Sequence, residues 1–214
     1  PNVTRVPLVG ITRGTLVRKE CPLLKKASIA IVSPGNMDDM RALPKLYKKY
    51  GVPYIYDPGQ QIPIISKNDL IAGLTGARAL ILNDYELALM QKKTELTKSD
   101  MLKRVEILVT TLGERGSVIE RFVPPLKIRG GRGGVIKIRI PVAKPKQVVD
   151  PTGAGDAYRA GFIYGLLREW SLDRVGRFAS LVSVYTVEKL GTQTHEFTLA
   201  NLRQRYQNNF RVRL

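Results

Sequence analysis

Residues 148–162 read Val148-Val149-Asp150-Pro151-Thr152-Gly153-Ala154-Gly155-Asp156-Ala157-Tyr158-Arg159-Ala160-Gly161-Phe162. A loop of small residues runs here directly into a helix-forming segment, and the pattern predicts a helix from about Gly153 to Arg168. Glycine lets the backbone curl so that several N–H groups converge, and the first N–H groups of a helix lack an intrahelical partner and carry a partial positive charge. Gly153, Ala154 and Gly155 therefore form a candidate anion hole, of the kind that holds phosphate without a cationic side chain. Asp156 falls inside it, where its charge opposes the anion that the backbone attracts. Two readings stand. A carboxylate at that place can take the proton of an attacking hydroxyl while the amides stabilise a transferring phosphoryl group. Alternatively, Asp156 is a first-turn residue that favours the helix dipole by about 0.3–1 kcal/mol.

Outward from this stretch, short apolar runs alternate with segments of helical period, which predicts an α/β fold with a mostly parallel sheet. The runs Ala27–Val32, Pro53–Tyr56, Ala79–Leu82 and Glu106–Thr110 are nearly continuous in apolar residues, as strands buried on both faces require. Each ends in small or polar residues: Ser33-Pro34-Gly35-Asn36, Asp57-Pro58-Gly59, Asn83-Asp84-Tyr85-Glu86 and Thr111-Leu112-Gly113. Ligands of open parallel sheets bind beyond the carboxyl ends of the strands, so these loops are candidate binding segments. Met37, Met40, Leu43 and Tyr47 share a helical face, with Pro44 expected to kink or shorten that helix. Leu172, Val175, Phe178, Ala179, Val182 and Thr186 repeat at three and four and predict a buried stripe. Residues 1–22 lack periodicity. Residues 121–134 combine a Pro pair with two Arg-Gly-Gly units, and are expected to be a loop or basic insertion.

Across 214 residues the composition is that of one globular domain, and no apolar run is long enough for a membrane helix or a secretory signal. Cys21 is the single cysteine, which excludes an internal disulfide and fits a reducing compartment such as the cytoplasm. His195 is the single histidine, which excludes a His-based metal cluster or hydrolase triad, and a surface position is expected for it. The charge is unusual: 35 Lys and Arg against 18 Asp and Glu give +17, with the excess in residues 1–50 and 101–150. Such a field attracts polyanions, nucleic acid included, with salt-sensitive binding, unless the charges are merely solvated.

The run DPTGAGDAYRAGF (150–162) closely resembles the carboxyl-terminal signature of the ribokinase-like, or phosphofructokinase B type, carbohydrate kinase family. Asn83-Asp84-Tyr85-Glu86 is similar to that family's Asn-x-x-Glu motif, and Val109–Ser117 to its strand and turn beside the nucleotide. Tyr158-Arg159-Ala160-Gly161, with Gly191-Thr192-Gln193, resembles the adenosine kinase-like branch. The resemblance implies a three-layer α/β/α enzyme that uses ATP and Mg²⁺ to phosphorylate a hydroxymethyl group of a nucleoside or sugar. It assigns Asp156 as catalytic base and Gly153, Ala154 and Gly155 as anion hole. It places Asn83 and Glu86 with Mg²⁺ and the phosphates, and Thr111, Gly113, Gly116 and Gln193 with the nucleotide. Without it, Asn83 and Glu86 read as a helix cap. Lys144 and Lys146 read as a basic loop. Arg159 reaches either an anion or an acidic neighbour.

The likeness runs from about residue 23 to 210 and corresponds to the later part of the family domain, so a single ribokinase-like domain is expected over 23–214. The family's substrate-gripping acid, Gly-Gly motif and lid have no counterpart in residues 1–22. Three expectations follow: a piece of a longer kinase, a chain completed by a second chain or a homo-oligomer, or a non-enzymatic basic subunit on a kinase fold that binds RNA or another polyanion.

Overall fold

The computed structural model describes residues 27–124 and 134–214. The expected irregular segment 1–22 and most of the basic insertion lie outside them. The described chain divides into two compact units. One runs to Val109 and includes the segment from Arg121 to Gly134; the other combines Thr110–Glu120 with Val135–Leu214.

The first unit alternates strand and helix: β1 (Ala30–Val32), α1 (Met37–Tyr50), β2 (Tyr54–Tyr56), α2 (Lys67–Leu74), β3 (Ala79–Asn83), α3 (Asp84–Thr94), α4 (Lys98–Leu102) and β4 (Ile107–Thr111). Neighbouring strands follow chain order, and β1, β2 and β3 pair in parallel, with Ile31 opposite Ile55 and Ile55 opposite Ala79. The four apolar runs became these strands because packing takes their faces from water: every residue of β2 is buried, as are the first four of β3 and of β4, while β1 buries Val32 and half-buries Ala30 and Ile31. Side chains that compete with the backbone elsewhere serve here as caps. Asn36, Ser66, Asn83 and Thr97 each accept a backbone N–H at the start of α1 to α4.

Pro44 does not shorten its helix. α1 continues for 14 residues through it, with Met40, Leu43, Pro44 and Tyr47 all buried. The lost backbone bond is outweighed by that packed stripe, by the Asn36 cap and by Gly51, which ends the helix in a left-handed conformation.

In the second unit the end of β4 leads through a tight 3-10 turn (Gly113–Arg115) into β5 (Ser117–Val123), and β6 (Gly134–Ile140) precedes α5 (Ala154–Leu167), α6 (Leu172–Val187) and α7 (Leu199–Phe210). The loop expected over 121–134 is thus narrower at both ends: Arg121–Val123 belong to β5 and Gly134 opens β6, because Phe122, Val123, Val135 and Ile136 carry strand-forming side chains. The predicted stripe is core: Val175, Phe178, Ala179, Val182 and Thr186 of α6 are buried. Phe178 stacks on Tyr164 at 5.1 Å and meets Trp170 edge-on, and Leu202, Tyr206 and Phe210 of α7 join the same apolar cluster. Burial of each such side chain stabilises the unit by about 1.5–3 kcal/mol.

Candidate active site

The loop before α5 is fixed by one carboxylate. Asp150 accepts hydrogen bonds from the Thr152 N–H at 2.9 Å and the Gly191 N–H at 3.1 Å. The bonds from Thr152, then that from Gly191, hold its carboxyl below the usual carboxylate value. Gly153 follows with φ of 83°, and a Cβ there would lie 2.9 Å from Cβ and Cγ2 of Thr192. Only glycine meets both demands. Gly153 offers no side-chain cap, so the first turn of α5 begins without a side-chain acceptor, and Ala154 N–H bonds the Pro151 carbonyl. Ser183 of α6 donates to the Ala154 carbonyl at 3.0 Å and ties that first turn down.

Beside this turn lies a cavity of about 470 Å³. Ala154, Gly155, Pro151 and Tyr158 border it from the α5 side, and Thr111, Gly113, Glu114 and Gly116 from the turn after β4. Val142, Ala143, Pro145 and Val148 form a further wall, with Ser180, Ser183, Val184 and Val187 from α6. The turn sits close because Gly116, at φ of 83°, has no Cβ; one would approach the Ile140 carbonyl oxygen to 2.1 Å. Tyr158 and Ser117, both buried, share a hydroxyl hydrogen bond of 2.8 Å. Burial pushes the Tyr158 phenol up, and the Ser117 bond only partly opposes this. Three anchors hold the wall from Val142 to Val148: the N–H groups of Ala143, Lys144 and Lys146 donate to Ser180, Asn209 and Glu188. Glu188 also pairs with Arg205. Lys144 and Lys146 are thus anchored by their backbones, and the Lys146 charge also helps to hold the Glu188 carboxyl below its usual value.

Sequence reasoning thus chose five residues that meet around one cavity: Ala154, Gly155, Thr111, Gly113 and Gly116. Gly153 precedes them as N-cap. Asp156 lies one residue beyond, outside the cavity lining, with its side chain 73% exposed and ion-paired to Arg159. Gln193 is exposed and does not line the cavity. Asn83 and Glu86, in the first unit, form a capping box: Glu86 N–H donates to Asn83 Oδ1 at 2.7 Å, and Asn83 N–H to Glu86 Oε2 at 2.8 Å. His195 is half-buried instead of a plain surface residue, because Nδ1 lies 3.3 Å from the buried Thr186 hydroxyl and its ring stacks with Phe197. The wall residues Val142, Ala143, Pro145 and Val148 were missed; their one signal was an apolar, Pro-punctuated run just upstream of the glycine loop.

The cavity is lined mainly by apolar and small groups, and Glu114 is its one charged side chain. Such a lining suits a small molecule with apolar faces. Residues 20–198 match the family model of the pfkB family carbohydrate kinases. The chain belongs to this family. It is 34% identical over 149 residues to a nucleoside kinase of Methanocaldococcus jannaschii, a match that covers 69% of the chain and 45% of that relative. A nucleoside kinase of Methanothermobacter thermautotrophicus is 36% identical over 141 residues, covering 65% of the chain and 41% of the relative. Among solved structures, the Burkholderia thailandensis nucleoside kinase in complex with ADP-inosine superposes with a TM-score of 0.80 at 32% identity, over 88% of the chain and 56% of that protein. The ribokinase-like α/β fold expected from the motifs is therefore the fold observed, and the chain spans less than half the length of these two curated nucleoside kinases.

Proposed function

We propose that this pfkB-family chain carries the ATP-binding and catalytic part of a kinase that phosphorylates a hydroxymethyl group, with nucleosides as the substrate class. The observation that carries the proposal is the meeting of an uncapped helix entrance, at Gly153–Gly155, with a mostly apolar cavity bordered by Thr111, Gly113 and Gly116. The adenine and ribose fit the cavity, and the phosphates fit the amides of the first turn of α5. Nucleosides are preferred over sugars because the more similar relatives are nucleoside kinases, and because the Tyr158-Arg159-Ala160-Gly161 spelling points the same way.

When bound, ATP supplies the phosphoryl group and Mg²⁺ neutralises charge on its phosphates. The chain's residues do the rest. The first amides of α5 offer fixed donors where charge develops, which costs no reorganisation at the moment of transfer. Asp156, one residue further on, accepts the proton of the attacking hydroxyl; its exposure leaves it open to a substrate arriving from solvent. Among the described residues no three His, Cys, Asp or Glu side chains group into a metal cage. Mg²⁺ would arrive on the nucleotide's phosphates and keep several of its waters, as a hard cation that dehydrates reluctantly does.

The test is product analysis by mass spectrometry after incubation with Mg-ATP and a panel of nucleosides and sugars. A nucleoside monophosphate among the products supports the proposal. A sugar phosphate alone overturns the substrate class, and no phosphorylated product overturns the activity of this chain.

A further inference from the structure

Arg159 stands one turn into α5 and folds back toward the helix entrance. Its Nη2 bonds the Asp156 carboxylate, and its Nη1 lies 3.8 Å from the point that a Cβ on Gly155 would occupy. Its side chain is 20% exposed, against 73% for Asp156. The cation is thus laid along the backbone of Gly155, a residue that borders the cavity, while the acid faces solvent. No lysine or arginine lines the cavity among the described residues. Asp156 and Arg159 stand just outside the cavity lining, next to Gly155, which borders it.

Resting on the ATP reading above, we infer that Arg159 changes partner when a nucleotide binds: it holds Asp156 in the empty site and passes to a phosphate oxygen in the filled one. The exchange is favourable because an ion pair three residues apart on a helix, with its carboxylate open to solvent, is weak, whereas a phosphate carries more charge and accepts two parallel N–H donors from one guanidinium. Its consequence is order. The carboxylate that serves as base is released from its cation only once phosphate is in place, so Arg159 positions Asp156 and discriminates phosphorylated nucleotides from bare nucleosides at this end of the cavity.

Calorimetric titration of the whole chain with ADP and with adenosine tests this without phosphotransfer, using wild type, Arg159→Gln, Arg159→Lys, Asp156→Asn and the Asp156→Asn/Arg159→Gln double variant. Arg159→Gln should weaken ADP about tenfold and leave adenosine unchanged, and Arg159→Lys, which keeps the charge but not the fork, should recover part of the loss. Asp156→Asn should tighten ADP in the presence of Arg159 and do so much less in its absence, a coupling that simple removal of a negative charge does not produce. An unchanged ADP-to-adenosine ratio in Arg159→Gln, or additive effects in the double variant, overturns the inference while the nucleotide site stands. Wild type that binds neither ligand overturns both.

Discussion

Gly153→Ala is the perturbation whose size can be worked out most fully. The residue has φ of 83°, a region that costs an alanine roughly 1–2 kcal/mol. Its new methyl would stand 2.9 Å from Cβ and Cγ2 of Thr192 and 3.2 Å from its Cα, closer than carbon atoms approach without displacement. Overpacking of this kind costs about 1–3 kcal/mol, and the lower half applies because Thr192 is exposed and can yield. The total is about 2–4 kcal/mol, which for a chain of this size lowers the melting temperature by roughly 4–16 °C. Gly155→Ala is the control. It lies inside α5, carries no left-handed φ, and its methyl would meet only Arg159 Nη1 at 3.8 Å, so helix propensity leaves stability equal or up to about 1 kcal/mol higher. That methyl would stand where the proposed phosphates approach, so Gly155→Ala should lose ADP affinity while keeping its melting temperature. Scanning calorimetry with ADP titration separates the two glycines. A Gly153→Ala protein that melts with wild type, or a Gly155→Ala protein that melts as low as Gly153→Ala, would refute the reasoning.

At the capping box, Asn83→Ala should destabilise the chain by about 1 kcal/mol, whereas Asn83→Ser, a good N-cap, should restore stability in urea melts; if nucleotide affinity falls in both, Asn83 has a duty beyond the cap. Glu188 sets a pH dependence: burial opposes its charge, but Arg205 and the Lys146 N–H more than offset this and hold the carboxyl below its ordinary 4.5. A lowered carboxylate contributes stability that is complete above its unfolded value and is lost as pH falls through the folded one. The melting temperature of Glu188→Gln should therefore lie below wild type at neutral pH, and the gap should close as pH falls below about 4.5; a constant gap would contradict the assignment. Ser117→Ala should strand the buried Tyr158 hydroxyl and cost about 1–3 kcal/mol, and adding Tyr158→Phe should recover part of it.

The strands were legible because burial on both faces writes an almost uninterrupted apolar run, as at Ala79–Leu82, and the α5 entrance because Gly153 answers a φ that no other residue adopts cheaply. Pro44 misled because a local rule about one lost hydrogen bond could not weigh the packed face on which Met40, Leu43 and Tyr47 lie. The cavity wall at Val142–Val148 was not legible for a different reason: its residues are held by backbone N–H groups bonded to Ser180, Asn209 and Glu188, far along the chain, and a backbone donor leaves no trace in residue type. Asn83 and Glu86 show the opposite limit. The same Asn-x-x-Glu spacing satisfies a helix terminus and a phosphate-metal pair, so spacing alone could not separate the two.

The central claim is that Asp156 serves a reaction instead of merely decorating a helix start. As a decoration it contributes a dipole term and an exposed ion pair, together about 1–2 kcal/mol at most. As a base it supplies roughly 10²–10⁴ in rate. Steady-state phosphoryl transfer from Mg-ATP to a nucleoside, measured for wild type and Asp156→Asn at matched nucleotide saturation, compares these directly. The account predicts a loss of kcat of at least about 10² with nucleotide affinity no weaker than wild type; equal turnover in the two proteins would contradict it.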